Sequence, residues 1–300
     1  MKRWLLIITI ACLTLSLAAC SNKTQSDLNH FEKAKHEVDK EERQVEKIMD
    51  DMRLNRLNEL SKSDLTDRNK TDFKQLEKDM DKKLMPAFES YQHAAEQLPA
   101  ETKDVKALRK TYISEVNEQE KDLKAIRSFI HLCNASIKAN EDILNYTRLF
   151  EKNRAQLEKQ VETARQAGES DSIDKFIHKL KHHNKELQQI AKKYLDTDDP
   201  ANTKTVIKDK VQPLINRQIE ELNQASVSEP NTAKAHQTAI EMYYSLQNYY
   251  ETRQKTIDVS NGLERYDMNK TPLTGKELDE AHKPFKRELT DLKNKLHKND

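Results

Sequence analysis

Glycine is nearly absent, with three in 300 residues, and prolines number only seven. Folds rich in strands draw on glycine for their tight turns and bulges, so this scarcity argues against a sandwich or barrel. Aromatic residues make up 6%, and the single tryptophan is Trp4. With 35% hydrophobic residues, the chain is poorly supplied for one large compact core. Neither sign of charge is in excess: 52 Lys and Arg stand against 51 Asp and Glu. A field strong enough to capture nucleic acid or an anionic surface is therefore missing. Charge of both signs is abundant instead, at 34% of residues, and it is interspersed. That pattern suits solvated helix faces carrying pairs three or four residues apart.

The first twenty residues have a different character. Met1-Lys2-Arg3 is a short positive segment, Trp4 to Leu17 is almost wholly apolar, and Ala18-Ala19 is a small pair. This is the layout of a secretory signal peptide. The apolar run is shorter than the roughly 20 residues a membrane-spanning helix needs, and the polar stretch Ser21 to Asp27 follows it. Leu17-Ala18-Ala19-Cys20 resembles the lipobox of bacterial prolipoproteins. The resemblance implies diacylglyceration of the Cys20 thiol and cleavage just before it. The expected division is a signal peptide over 1–19, a lipidated cysteine and tether over 20–27, and an ectodomain over 28–300. Two acyl chains anchor stably without help from a basic patch, so the expected partner is the lipid bilayer, reached through Cys20 from the extracytoplasmic face.

Loss of Lys2 and Arg3 leaves 50 basic residues against 51 acidic, a net charge of −1. Cys12 leaves with the signal and lipid occupies Cys20, so Cys133 stands alone and no intrachain disulfide can form. The exported body must hold by packing. Cys133 falls on the apolar face of a long helix and reads as a small buried hydrophobe rather than a reactive thiol.

Apolar residues recur with helical period through the rest of the chain. The pattern predicts a helix over Leu28–Leu60, then a stripe through Phe73, Leu76, Met80, Leu84, Ala87, Tyr91 and Leu98. From Glu101 to Ala167 the spacing is heptad-like, through Val105, Leu108, Tyr112, Val116, Leu123, Ile126, Ile130, Cys133, Ile137 and Leu144. Gln119 and Asn140 also fall on this seam, and a slip is expected near Leu149-Phe150. Gly168 reads as a C-cap. Further helices follow to about Leu195, over Thr203–Ala225, over Thr232–Val259 with Gly262 as C-cap, and over Lys276–His297. Kinks are expected at Pro86, Pro213 and Pro284. No repeat of fixed length stands out. The predicted fold is all-α, an elongated bundle of long amphipathic helices with coiled-coil-like seams, with sub-bundles at 28–168 and 169–300.

Glu241-Met242-Tyr243-Tyr244 carries a second resemblance. Together with the lipobox and the polar helical body, it is similar to the staphylococcal EMYY-motif lipoproteins. The wider organisation resembles that of proteins described as cell-wall-binding lipoproteins of Gram-positive bacteria. The resemblance implies surface location and wall association, and it carries over no catalytic residues. Packing alone explains the motif if one tyrosine ring lies in the seam and its neighbour at the edge. The other explanation is an aromatic platform for a ligand.

Chemical motifs are otherwise sparse. His178, His182 and Glu186 share a helical face at a spacing that suits zinc, yet Lys179, Lys181 and Lys185 surround them and oppose a cation. There is no Gly-rich phosphate loop, nucleophile elbow or His-Glu-x-x-His helix. The expectations are therefore no catalytic, cofactor or metal site and no nucleic acid partner. The leading reading is a non-enzymatic surface protein that contacts wall polymer or other surface proteins, or acts as a spacer. A ligand-binding lipoprotein of the transport-receptor kind and a wall-active enzyme are the alternatives.

Overall fold

The computed structural model describes residues 2–54, 57, 60, 69–195, 199–266 and 282–298, with side chains from Asn22 onward. Among these residues every regular element is helical, so the chain is all-α. In chain order the elements are α1 (Lys2–Asp51), α2 (Lys70–Asp79), α3 (Met85–Glu96), α4 (Lys103–Gln166), α5 (Ser170–Ile190), α6 (Pro200–Val206), α7 (Gln212–Asn223), α8 (Pro230–Glu264) and α9 (Lys283–His297). The stretch 20–27, expected as a tether, is helical and part of α1. Asp27 and Leu28 are both buried, and nothing from 21 to 26 breaks a helix, so the helix propagates backward from that fixed turn. α1 also ends earlier than expected: the chain leaves it at Met52 and Arg53, and Arg53 takes a left-handed φ of 52°.

Two compact units result. The first comprises Met1–His131 and Tyr266–Asp300, the second Leu132–Arg265. The division runs through α4 rather than at Gly168, because the two ends of α4 are covered by different helices. In the first unit Phe31, Phe73, Phe88, Val105, Tyr112 and Phe285 are buried to within a few per cent. Full burial of such side chains is worth about 2 to 3 kcal/mol each. In the second unit Leu157, Val161 and Ala164 of α4 join Ile173, Ile215, Ala235 and Ala239 in one core.

The prolines act differently from expectation. Pro86 and Pro213 stand second in α3 and α7, each directly behind a five-residue π turn, Met80–Leu84 and Ile207–Val211. Met85 N donates to the Met80 carbonyl and Gln212 N to the Ile207 carbonyl. A proline ring clashes with the carbonyl four residues back, and the wider turn makes room for it. The helical path continues where a break was expected. The π turn also shifts the buried face by one residue, so Phe88 rather than Ala87 enters the core. Pro284 is likewise no kink inside a helix. α9 begins at Lys283, which puts the proline in its first turn, where the missing N–H costs nothing. The expected start of that helix at Lys276 lies outside the described residues.

Gly168 does cap α4. Its φ is +82°, Glu169 N donates to the Ala164 carbonyl at 2.9 Å, and Gly168 N to that of Arg165 at 3.1 Å, a Schellman motif. Gly262 does not cap α8, which continues to Glu264. A Cβ at 262 would lie 3.0 Å from the Leu132 side chain, so glycine there permits close approach of α4.

One polar device occurs in both units. Asp27 of α1 accepts from Glu101 N (3.0 Å), Thr102 N (2.7 Å) and Thr102 Oγ1 (2.7 Å) at the start of α4. Glu169, at the start of α5, accepts from Asn231 N (3.2 Å), Thr232 N (2.7 Å) and Thr232 Oγ1 (2.8 Å) at the start of α8. Asp27 thus holds the two N–H groups just ahead of α4, and Glu169, the N-cap residue of α5, holds two in the first turn of α8. Burial raises the Asp27 pKa, but the bonds from Thr102 and Glu101 outweigh it and hold the group below its ordinary value. Its contribution is therefore complete above the unfolded aspartate pKa of about 3.9 and is lost as pH falls through the folded value. Asp27→Ala is expected to cost about 2 kcal/mol at pH 7. Urea titrations should find the gap between variant and parent closing well below pH 4; an equal gap at both pH values would contradict the clamp.

Candidate functional site

α4 and α8 run antiparallel in a fixed register. Leu132 packs on Gly262, and Gln156 Nε2 reaches Thr238 Oγ1 at 3.5 Å. The same register sets Phe150 level with Tyr244 and Leu144 level with Tyr250. Arg165 near the end of α4 pairs with Asp174 near the start of α5 at 2.7 Å, where the chain turns back between the two helices. The buried stripe of α4 lapses in this stretch. Asn140 and Leu144, expected on the seam, are exposed, Leu144 by 54%. After Ala139 no α4 residue is buried until Asn153, so the slip begins a turn or more before Leu149.

A groove of about 670 Å³ lies between α4, α5 and α8. Its walls are Phe150, Leu157 and Val161 from α4, Ile177, Leu180 and Leu187 from α5, and Met242, Tyr243 and Leu246 from α8. The size is that of a small-molecule site. Arg154, Arg165, Lys181 and Glu158 also line it. Arg154 and Arg165 pair with Glu151 and Asp174, all four being solvent-exposed.

The four residues singled out in the sequence divide over three environments. Glu241 is exposed, and its carboxylate accepts from Gln237 at 3.4 Å. Met242 is half-buried on the groove wall. Tyr243 is 4% exposed and meets the His183 ring edge-on at 5.9 Å. Burial, aided by the Glu186 carboxylate, raises its hydroxyl pKa. Tyr244 is 46% exposed. One ring therefore lies in the core and its neighbour outside it, while the methionine packs partly against the core and partly lines the groove.

Of the three residues at zinc spacing, His182 Nε2 lies 3.8 Å from Glu186 Oε1, which has other partners as well. His178 and His182 are exposed, and Glu186 is engaged by Arg217 at 2.8 Å and Gln218 at 3.1 Å. Cys133 is 1% exposed, and burial pushes its thiol up to about 12. It is the packed hydrophobe that its position implied.

The first unit holds a buried polar cluster that no spacing in the sequence marks. His282 Nδ1 lies 2.9 Å from Glu115 Oε2, and its Nε2 lies 3.2 Å from Glu42 Oε1 and 3.1 Å from the Tyr91 hydroxyl. Tyr91 and Tyr112 hydroxyls are 3.0 Å apart, and Glu115 Oε1 accepts from Phe285 N at 3.0 Å. Burial raises the Glu42 pKa, but the bond and charge of His282 prevail and lower it. The groups satisfy one another, which is the condition for a stable interior network. His282→Ala would leave two carboxylates facing each other and is expected to cost about 3 kcal/mol in urea unfolding.

An all-α chain in which Leu17-Ala18-Ala19-Cys20 resembles a lipobox has the build of a lipoprotein. The family model for EMYY-motif containing lipoproteins matches residues 1–293, and the chain belongs to that family. No curated protein and no solved structure matches it.

Proposed function

We propose that the mature chain is held by lipid on Cys20 at the outer face of a Gram-positive cell membrane. There it serves without catalysis, contacting wall polymer or other surface proteins along its helices. The observation that carries this reading is Leu17-Ala18-Ala19-Cys20 at the end of a signal segment, in a chain that belongs to a lipoprotein family. Among the described residues no helix is long and apolar enough to cross a membrane, so lipid is the anchor at hand. Balanced surface charge favours contacts of shape and hydrogen bonding over electrostatic capture. The described residues contain no strand, so a two-lobed receptor built on sheets is not the architecture through which a ligand would be held.

Cys20→Ala is expected to abolish incorporation of labelled palmitate and to leave the uncleaved chain without lipid; continued labelling would refute the anchor. The chain from Ser21 to Asp300 tested on purified cell wall, with and without teichoic acids, examines the contact role. Saturable retention supports it and shows which polymer is read. No retention at physiological salt contradicts wall binding.

A further inference from the structure

We propose that the groove of the second unit binds a long-chain amphiphile with an anionic head, its alkyl chain lying among Phe150, Leu157, Leu180, Met242 and Leu246. This goes beyond wall contact and is independent of it.

Nine of the fifteen residues that line the groove are apolar, and removing such surface from water is the main source of affinity for an alkyl chain. Along α4 it extends from Phe150 to Arg165, about 22 Å at the helical rise, the scale of an extended fatty acyl chain. The charged residues on its walls select the head group. Arg154, Arg165 and Lys181 stand against a single carboxylate, Glu158. The Glu151 and Asp174 partners of the two arginines are themselves exposed, so those pairs are weak and exchange readily for a ligand carboxylate or phosphate. An arginine accepts either group in bidentate fashion.

The family-defining motif gives this groove its α8 wall. Packing of the helix accounts for Tyr243, which is in the core. Met242 packs only partly against that core and also lines the groove, where its flexible thioether suits chains of varied shape. The α4 stripe lapses between Ala139 and Asn153, and Phe150 at that end of the groove is only half-buried, so an alkyl chain can enter there.

The test uses the chain from Ser21 to Asp300, which keeps every described core residue, with its fold checked by helical circular dichroism. A fluorescent polyene fatty acid is titrated and then displaced by palmitate, by lysophosphatidylglycerol, and by an alkyltrimethylammonium of equal chain length. The expected result is saturable binding at one site, with displacement by both anions and weak displacement by the cation. Preference for palmitate marks a free fatty acid as the source, and preference for the lysolipid marks a membrane lipid. Asn184→Trp, at an exposed position lining the groove, and Met242→Trp should each weaken binding by about tenfold or more. Arg154→Glu with Lys181→Glu should weaken the anions selectively. Absence of saturable binding, equal affinity in both tryptophan variants, or equal displacement by the cation would each overturn the proposal. So would a dimer in sedimentation that Asn184→Trp dissociates, since the groove would then belong to a second copy.

Discussion

The paired carboxylate clamps, Asp27 on Thr102 and Glu169 on Thr232, fix how helices meet in a protein with little apolar surface to spare. Each helix buries only a narrow stripe, and narrow stripes slide easily. A carboxylate seated on the N–H groups at or just ahead of another helix's start permits one register only. The π turns then keep the intervening helices on course past Pro86 and Pro213, so that the stripes before and after each proline stay on the same core. The two units thus share a plan of clamp, π turn, proline and long closing helix, although their spacings differ enough that no fixed period appears in the sequence.

Much of the architecture was legible because helical periodicity is local. Scarce glycine, interspersed charge and three-and-four spacing led directly to an all-α fold, to the cap at Gly168 and to the burial of Cys133. What sequence spacing does not carry is a neighbour far along the chain or a local change of helix type. Gly262 looked like a cap, but its role is set by Leu132 on another helix. Asn140 and Leu144 fit the heptad count, yet among the described residues they stand exposed. Ala87 was placed inside because a π turn cannot be read from spacing alone.

The same limit applies to the sites. Glu42, Glu115 and His282 are far apart in sequence and become partners only through packing. The Glu241 to Tyr244 motif was visible as a string, and one buried tyrosine beside one peripheral tyrosine could be anticipated. The groove that Met242 partly lines could not, since it arises where the α4 stripe lapses opposite α5. Family membership speaks for a lipoprotein, and a groove with apolar and cationic walls gives such a protein a place to bind.

Hydrogen exchange at the amides of Thr102 and Thr232 tests the clamp most directly. If the clamps hold the units together, both amides exchange only with cooperative opening of their unit, as slowly as the core amides of α4 and α8. Exchange as fast as that of free helix ends would show that the carboxylates merely decorate the surface, and the account would fail.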